Sequence, residues 1–142
     1  MSMKEEYNDN YKSCHETFVT LRIYSDEIRP EEISKNLKTN PSKTVSKGDV
    51  YGINKNKIRN HNCWFLTSEG LVNSKDCRRH FDFLADKITS LKPNFKELQN
   101  KGCEIDISCF WSSENGQGGP SLSPKQLKKL AELELEIWFD LY

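Results

Sequence analysis

No stretch of this 142-residue chain approaches the roughly 20 consecutive apolar residues that a membrane-crossing helix requires. A helical membrane protein is therefore excluded. The opening residues, Met1 to Glu6, have no apolar segment of the kind a Sec signal carries, so a cytoplasmic location is expected. Surplus charge is also missing, because 21 Lys and Arg balance 21 Asp and Glu. That balance argues against a general nucleic-acid binder, whose affinity comes from cations set against phosphates. Paired cysteine spacing is absent too. The five cysteines (Cys14, Cys63, Cys77, Cys103 and Cys109) are odd in number and fit no disulfide framework, so free thiols in a reducing compartment are expected.

Recognisable catalytic patterns are lacking as well. Gly116-Gln-Gly-Gly119 does not have the order of a phosphate-binding loop and no helix follows it directly. No pair of carboxylates is set apart as acid and base by an apolar pocket. The chain is expected not to be an enzyme and to need no cofactor.

What the chain does have is aromatic weight. Seven Phe, five Tyr and three Trp supply large buried areas, enough for one core in a chain of single-domain length. Residues 1–16 are polar and expected to fray, leaving one domain over 17–142. Val19, Leu21 and Ile23 alternate with Phe18, Thr20, Arg22 and Tyr24, the period of a strand with one buried face. Pro30 suits the first position of a helix carrying Ile33 and Leu37, which must stop before Pro41. Residues 43–61 are lysine-rich, β-prone around Val45 and Tyr51, with a turn at Lys47-Gly48-Asp49; Cys63–Thr67 reads as a strand.

The strongest helix signal covers 75–91, where Cys77, Phe81, Leu84, Ile88 and Leu91 recur at steps of four and three. Ser74 is the expected cap, with Asp76 at the positive end of the dipole. Pro93 opens a shorter helix with Phe95 and Leu98, closed by Gly102. The period then returns to two: Cys103, Ile105, Ile107, Cys109 and Trp111 oppose Glu104, Asp106, Ser108 and Phe110. Ser123-Pro124-Lys125-Gln126 is a capping box opening a helix expected to bury Leu127, Leu130 and Ala131. A last strand is expected to set Leu133, Leu135, Ile137, Phe139 and Leu141 against Glu134, Glu136, Trp138, Asp140 and Tyr142. Half-buried strands need helices on one face, so the fold class is α+β: a single-domain two-layer sandwich with a mostly antiparallel sheet.

The order of these short motifs resembles a known family. Pro30-Glu-Glu-Ile-Ser34 with Leu37, then Asn40-Pro41-Ser42, Lys47-Gly48-Asp49, Trp64 with Ser68, the paired helices near 76–101 and the closing helix-strand to Leu141-Tyr142 are similar to the small bacterial family DUF4279 over about residues 17–142. Lys38 stands where that family's pattern suggests glycine. The resemblance carries no catalytic residues. Some members look like immunity proteins encoded beside polymorphic or contact-dependent toxins, which implies a cognate toxin domain as partner.

Charge is segregated along the chain. Residues 38–80 hold nine Lys and Arg against Asp49, Glu69 and Asp76, a net +6; residues 103–142 hold seven acids against three Lys, a net −4. If the strands near 104–110 and 134–142 are neighbours, Glu104, Asp106, Phe110, Glu134, Glu136, Trp138, Asp140 and Tyr142 form an acidic, aromatic face suited to a basic protein such as a nuclease toxin. The plainer reading is that acids on an outer strand keep an edge soluble.

Two further constellations compete. His61 with Cys63 and Cys77 with His80 have spacings that could supply four zinc ligands, but Cys77 belongs to the apolar stripe and no C-x-x-C knuckle is present. Lys75, Arg78, Arg79 and His80, with Lys55, Lys57, Arg59 and Trp64, could form a basic site for nucleic acid or a phosphorylated ligand. Aromatics are not interleaved with these lysines, however, and a solvated surface explains the run as well.

Overall fold

The computed structural model describes residues 6–142. Strand β1 (Cys14–Ser25) is the spine of the molecule, pairing antiparallel with β5 (Asn62–Thr67) on one side and β6 (Glu104–Ser113) on the other. The sheet runs β2-β5-β1-β6-β7, with β2 (Lys43–Val45) and β7 (Glu136–Leu141) at its edges. Among the described residues only β6 and β7 pair in parallel, so their connection must cross over, and α4 (Pro124–Leu133) supplies the crossover. Helices α1 (Pro30–Leu37), α2 (Cys77–Ile88), α3 (Lys92–Asn100) and α4 contribute to one core with the inward residues of β1, β5 and β6. A short 3-10 turn, Thr89–Leu91, joins α2 to α3. The fold is thus the expected α+β sandwich, and the lysine-rich region yields β2 plus a separate hairpin of β3 (Val50–Tyr51) and β4 (Lys57–Ile58).

The alternations place the core as the period of two requires. Val19, Leu21 and Ile23 are buried, as are Ile105, Ile107, Cys109 and Trp111. Trp64 faces the helices, its Nε1 donating to Ser34 Oγ at 2.9 Å. On α2, Cys77, Phe81, Leu84 and Ile88 form the buried stripe. Asp76, not Ser74, caps this helix, accepting from the Arg78 N–H; the Ser74 hydroxyl instead accepts from the Asp76 N–H and donates to Asp9.

Three further expectations need correction. The first concerns the N-terminal segment: β1 already begins at Cys14, and the residues before it are tied down. The Asn8 N–H donates to Asp76, Tyr7 bonds the Asp82 carboxylate, and Asp9 pairs with Arg79. Gly118, at φ +80°, presses against Tyr11 and Ser13 so closely that a Cβ there would collide. Residues 1–5 of the expected tail lie outside the described residues.

The second concerns α4. The capping box at Ser123 and Gln126 forms, but Leu127 and Ala131 are exposed, while Gln126, Leu130 and Leu133 are buried. Gln126 turns inward because its amide donates to the buried Asp82 carboxylate at 3.0 Å, and this rotates the helix away from its apparent stripe. The third concerns the last strand. Helix α4 runs through Leu133 and ends at Glu134 in the left-handed region (φ 57°), so Glu134 belongs to no strand.

Candidate functional site

The sheet face opposite the helices is built by register. Paired residues point to the same side, so Phe18 faces Phe110, Thr20 faces Ser108, Arg22 faces Asp106 and Tyr24 faces Glu104 across β1–β6. Across β6–β7, Asp106 lies beside Glu136, Ser108 beside Trp138 and Phe110 beside Asp140. None of the four α-helices packs on this side.

One end of the face is aromatic. Phe18 and Phe110 stack with centroids 4.8 Å apart, and Tyr142 continues the row at 5.3 Å from Phe110. Trp138 is 56% exposed and Tyr142 71%, large apolar surfaces for groups at the centre and end of a strand. Two acids flank them: Glu136 and Asp140 are solvent-facing, and the Trp138 Nε1 donates to Glu136 at 3.3 Å, while the exposed Glu104 lies at the other end of β6.

The structure brings together six of the eight expected residues: Asp106, Phe110, Glu136, Trp138, Asp140 and Tyr142; Glu104 shares the face but lies at the other end of β6, opposite Tyr24. Glu134 is elsewhere. As the left-handed cap of α4 it turns toward the helix layer and pairs with Lys92 at 3.4 Å and Lys96 at 2.9 Å, contacts that hold its carboxyl below the usual carboxylate range. Asp106 is on the face but is neutralised, gripped by Arg22 through two bonds of 2.7 and 2.8 Å. That fork keeps Arg22 more firmly protonated than usual, although partial burial opposes it. The uncompensated acids are therefore Glu104, Glu136 and Asp140.

Sequence reasoning left out of the site Phe18, Arg22 and Tyr24, all on the outward set of β1, and Phe65 on β5. Their signal was the alternation itself; what was missing was the strand order that sets β1 between β5 and β6.

At the other side of the face, the β3–β4 hairpin overhangs β2 and β5 and encloses a recess of about 370 Å³. Lys43, Arg59 and His61 line it with Tyr24, Tyr51 and Phe65. Arg59 lies over the Tyr51 ring at 3.7 Å and Tyr24 meets Phe65 edge-on at 5.9 Å. The open face thus runs from a basic recess to an acidic, aromatic edge.

The arginines of the basic group on α2 are paired internally. Arg78 pairs with Asp76 at 2.8 Å, Arg79 with Asp9 at 2.8 Å, and His80 is buried. Burial depresses the His80 pKa. Its Nε2 donates to the Ser74 carbonyl at 2.8 Å, leaving Nδ1 to accept from the Ser68 hydroxyl at 2.6 Å. Nor do His61, Cys63, Cys77 and His80 converge. Cys63 is paired with Tyr24 on the open face, His61 bonds Asp26 at 2.6 Å, and Cys77 and His80 lie in the helix layer across the sheet. Among the described residues no group of three His, Cys, Asp or Glu could hold a metal.

A family model covers residues 15–142. The chain belongs to the DUF4279 family, a domain of unknown function. The resemblance read from Pro30–Leu37 through Tyr142 is therefore correct. The DUF4279 description assigns no activity, and no curated protein and no solved structure shows significant similarity to the chain. No helix among the described residues is long and apolar enough to cross a membrane.

Proposed function

We propose that this DUF4279 domain is a protein-binding module of immunity type, acting in the cytoplasm to neutralise a basic toxin domain, such as a nuclease, through the β6–β7 end of its open sheet face. The observation carrying this reading is the cluster of exposed Trp138 and Tyr142 with Phe110, flanked by Glu136 and Asp140 on the sheet face away from the helical core. Large aromatics that can be fully desolvated anchor tight interfaces, and a ring of one charge speeds capture of a partner of the opposite sign. The resemblance to a family with immunity-like members points to a toxin as that partner. Inhibition would follow from occupying the basic cleft a nuclease needs for phosphate. The test is calorimetric titration with basic nuclease toxin domains. Glu136→Lys with Asp140→Lys should weaken binding at least tenfold and flatten its salt dependence, whereas unchanged affinity would remove this face from consideration.

A second reading takes the recess instead. Lys43 and Arg59 beside three aromatic walls fit a phosphorylated ligand better than the basic residues of α2, whose charges are internally paired. Binding of a nucleotide lost in Lys43→Ala and Arg59→Ala would favour it.

A further inference from the structure

The partner reading uses side chains on the open face of β7 but leaves the outer backbone edge of that strand unassigned. Four of the large apolar residues left exposed, Trp138, Phe139, Leu141 and Tyr142, are consecutive or nearly so on this one strand. Among the described residues no strand lies beyond it. Edge strands are normally shielded, because their free N–H and C=O groups template pairing with another chain.

The direction of those groups follows from the existing bonds. The Tyr142 N–H donates to the Trp111 carbonyl at 3.1 Å, and the Tyr142 carbonyl accepts from the Ser113 N–H at 2.8 Å. Tyr142 therefore turns both backbone groups toward β6. In a parallel pair this alternates residue by residue, so Trp138 and Asp140 also face β6. Ile137, Phe139 and Leu141 present their N–H and C=O outward.

We propose that the occupant of this edge is a second copy of the chain, joined by antiparallel β7–β7 pairing about a two-fold axis at Phe139. A two-fold pairing is isologous, so each register sets the strand against itself. An axis at Trp138 places Glu136 opposite Asp140 of the other copy, twice, and an axis at Asp140 places that carboxylate opposite itself. Like charges directly opposite destabilise a sheet. An axis at Ile137 shifts the overlap back into the cap of α4 at Glu134.

The axis at Phe139 has none of these faults. It sets Glu136 opposite Tyr142, Trp138 opposite Asp140, Ile137 opposite Leu141, and Phe139 opposite itself. The three outward-facing residues of each strand then meet in hydrogen-bonded pairs. Acids fall against aromatics on the open face, and apolar side chains meet on the helix side. The dimer is a ten-stranded sheet whose two open faces are continuous, and it needs no partner protein to form.

Sedimentation velocity of the purified chain, from about 1 to about 200 μM, tests this over the range expected of a small strand-edge interface. The mass should rise from 16.5 kDa toward twice that value. Phe139→Pro removes an outward N–H while sparing the β6–β7 bonds, as edge strands tolerate; Leu141→Lys removes apolar contact without touching the backbone. Each should raise the dimer dissociation constant more than tenfold, with circular dichroism confirming the fold. In the unmodified protein, amide exchange at Ile137, Phe139 and Leu141 should slow as concentration rises. A chain that stays at 16.5 kDa throughout overturns the proposal. So does a dimer indifferent to both substitutions, or one whose protection falls on β2 at Lys43–Val45 instead. Protection of β7 that appears only on adding a binding protein would assign the edge to that protein and overturn the self-pairing.

Discussion

Replacing His80 is the sharpest perturbation of the layer that supports the open face. Its imidazole is almost fully buried and joins three segments: the residue just after β5 through Ser68, the segment before α2 through the Ser74 carbonyl, and α2 itself. Ser68 in turn accepts from the Val19 N–H of β1 at 3.0 Å, so the ring anchors the central strand indirectly. His80→Ala deletes two hydrogen bonds worth about 1 kcal/mol each and leaves the Ser74 carbonyl buried and unpaired, a cost of about 1–3 kcal/mol. With the cavity added, a loss of about 3–4 kcal/mol is expected, or roughly 10 °C in Tm for a domain of this size.

The pH dependence has a definite sign. Burial holds the folded-state pKa of His80 below its ordinary value of about 6.5. Below that pH the unfolded chain binds a proton that the native chain does not, so stability falls on acidification and is fully present above it. Urea unfolding at pH 5, 6, 7 and 8 for the unmodified chain and for His80→Gln measures this directly. The unmodified protein should lose stability between pH 7 and 5, and His80→Gln should flatten that slope. An equal slope in both proteins, or a cost for His80→Ala below about 1 kcal/mol, would refute the role assigned to the ring.

Other outcomes follow from single side chains. Arg22→Ala should cost about 1–2 kcal/mol in chemical denaturation by stranding the half-buried Asp106, yet speed association with a basic protein because the face becomes more negative. Leu130→Ala should destabilise by about 2–4 kcal/mol and Leu127→Ala by less than about 0.5, a contrast that checks the rotation of α4. In native buffer one of the five thiols, the partly exposed Cys63, should react first with a disulfide reagent, slowed because burial raises its pKa, while the other four, all buried, should wait for denaturant. Burial pushes the Cys14 thiol up to about 11, adding to its inertness.

Much of the fold was legible because its elements are locally self-consistent. The strand of Val19, Leu21 and Ile23, the stripe of α2 and the capping box at Ser123 each specify their own geometry. Where the reading failed, a polar residue acted through a distant partner. Gln126 goes inward for Asp82, forty-four residues away, and no helical periodicity announces that. Glu134 was misplaced because Leu133, Leu135 and Ile137 alternate smoothly across the end of α4, disguising a left-handed cap as strand. The site suffered from the same gap: periodicity assigns residues to faces, but only strand order shows that Arg22 lies against Asp106 and removes one acid from the surface.

The most direct test of the proposed binding face compares charge reversals that differ only in where the structure puts them. Glu134→Lys, Glu136→Lys and Asp140→Lys each shift the net charge by +2, but Glu134 lies with Lys92 and Lys96 while the other two flank Trp138. Titrated against a basic nuclease toxin domain that the unmodified protein binds, Glu136→Lys and Asp140→Lys should each weaken binding severalfold, and Glu134→Lys should leave affinity intact. Equal weakening by all three would mean that net charge alone governs association. Loss confined to Glu134→Lys would contradict the account and move the interface to the helix layer.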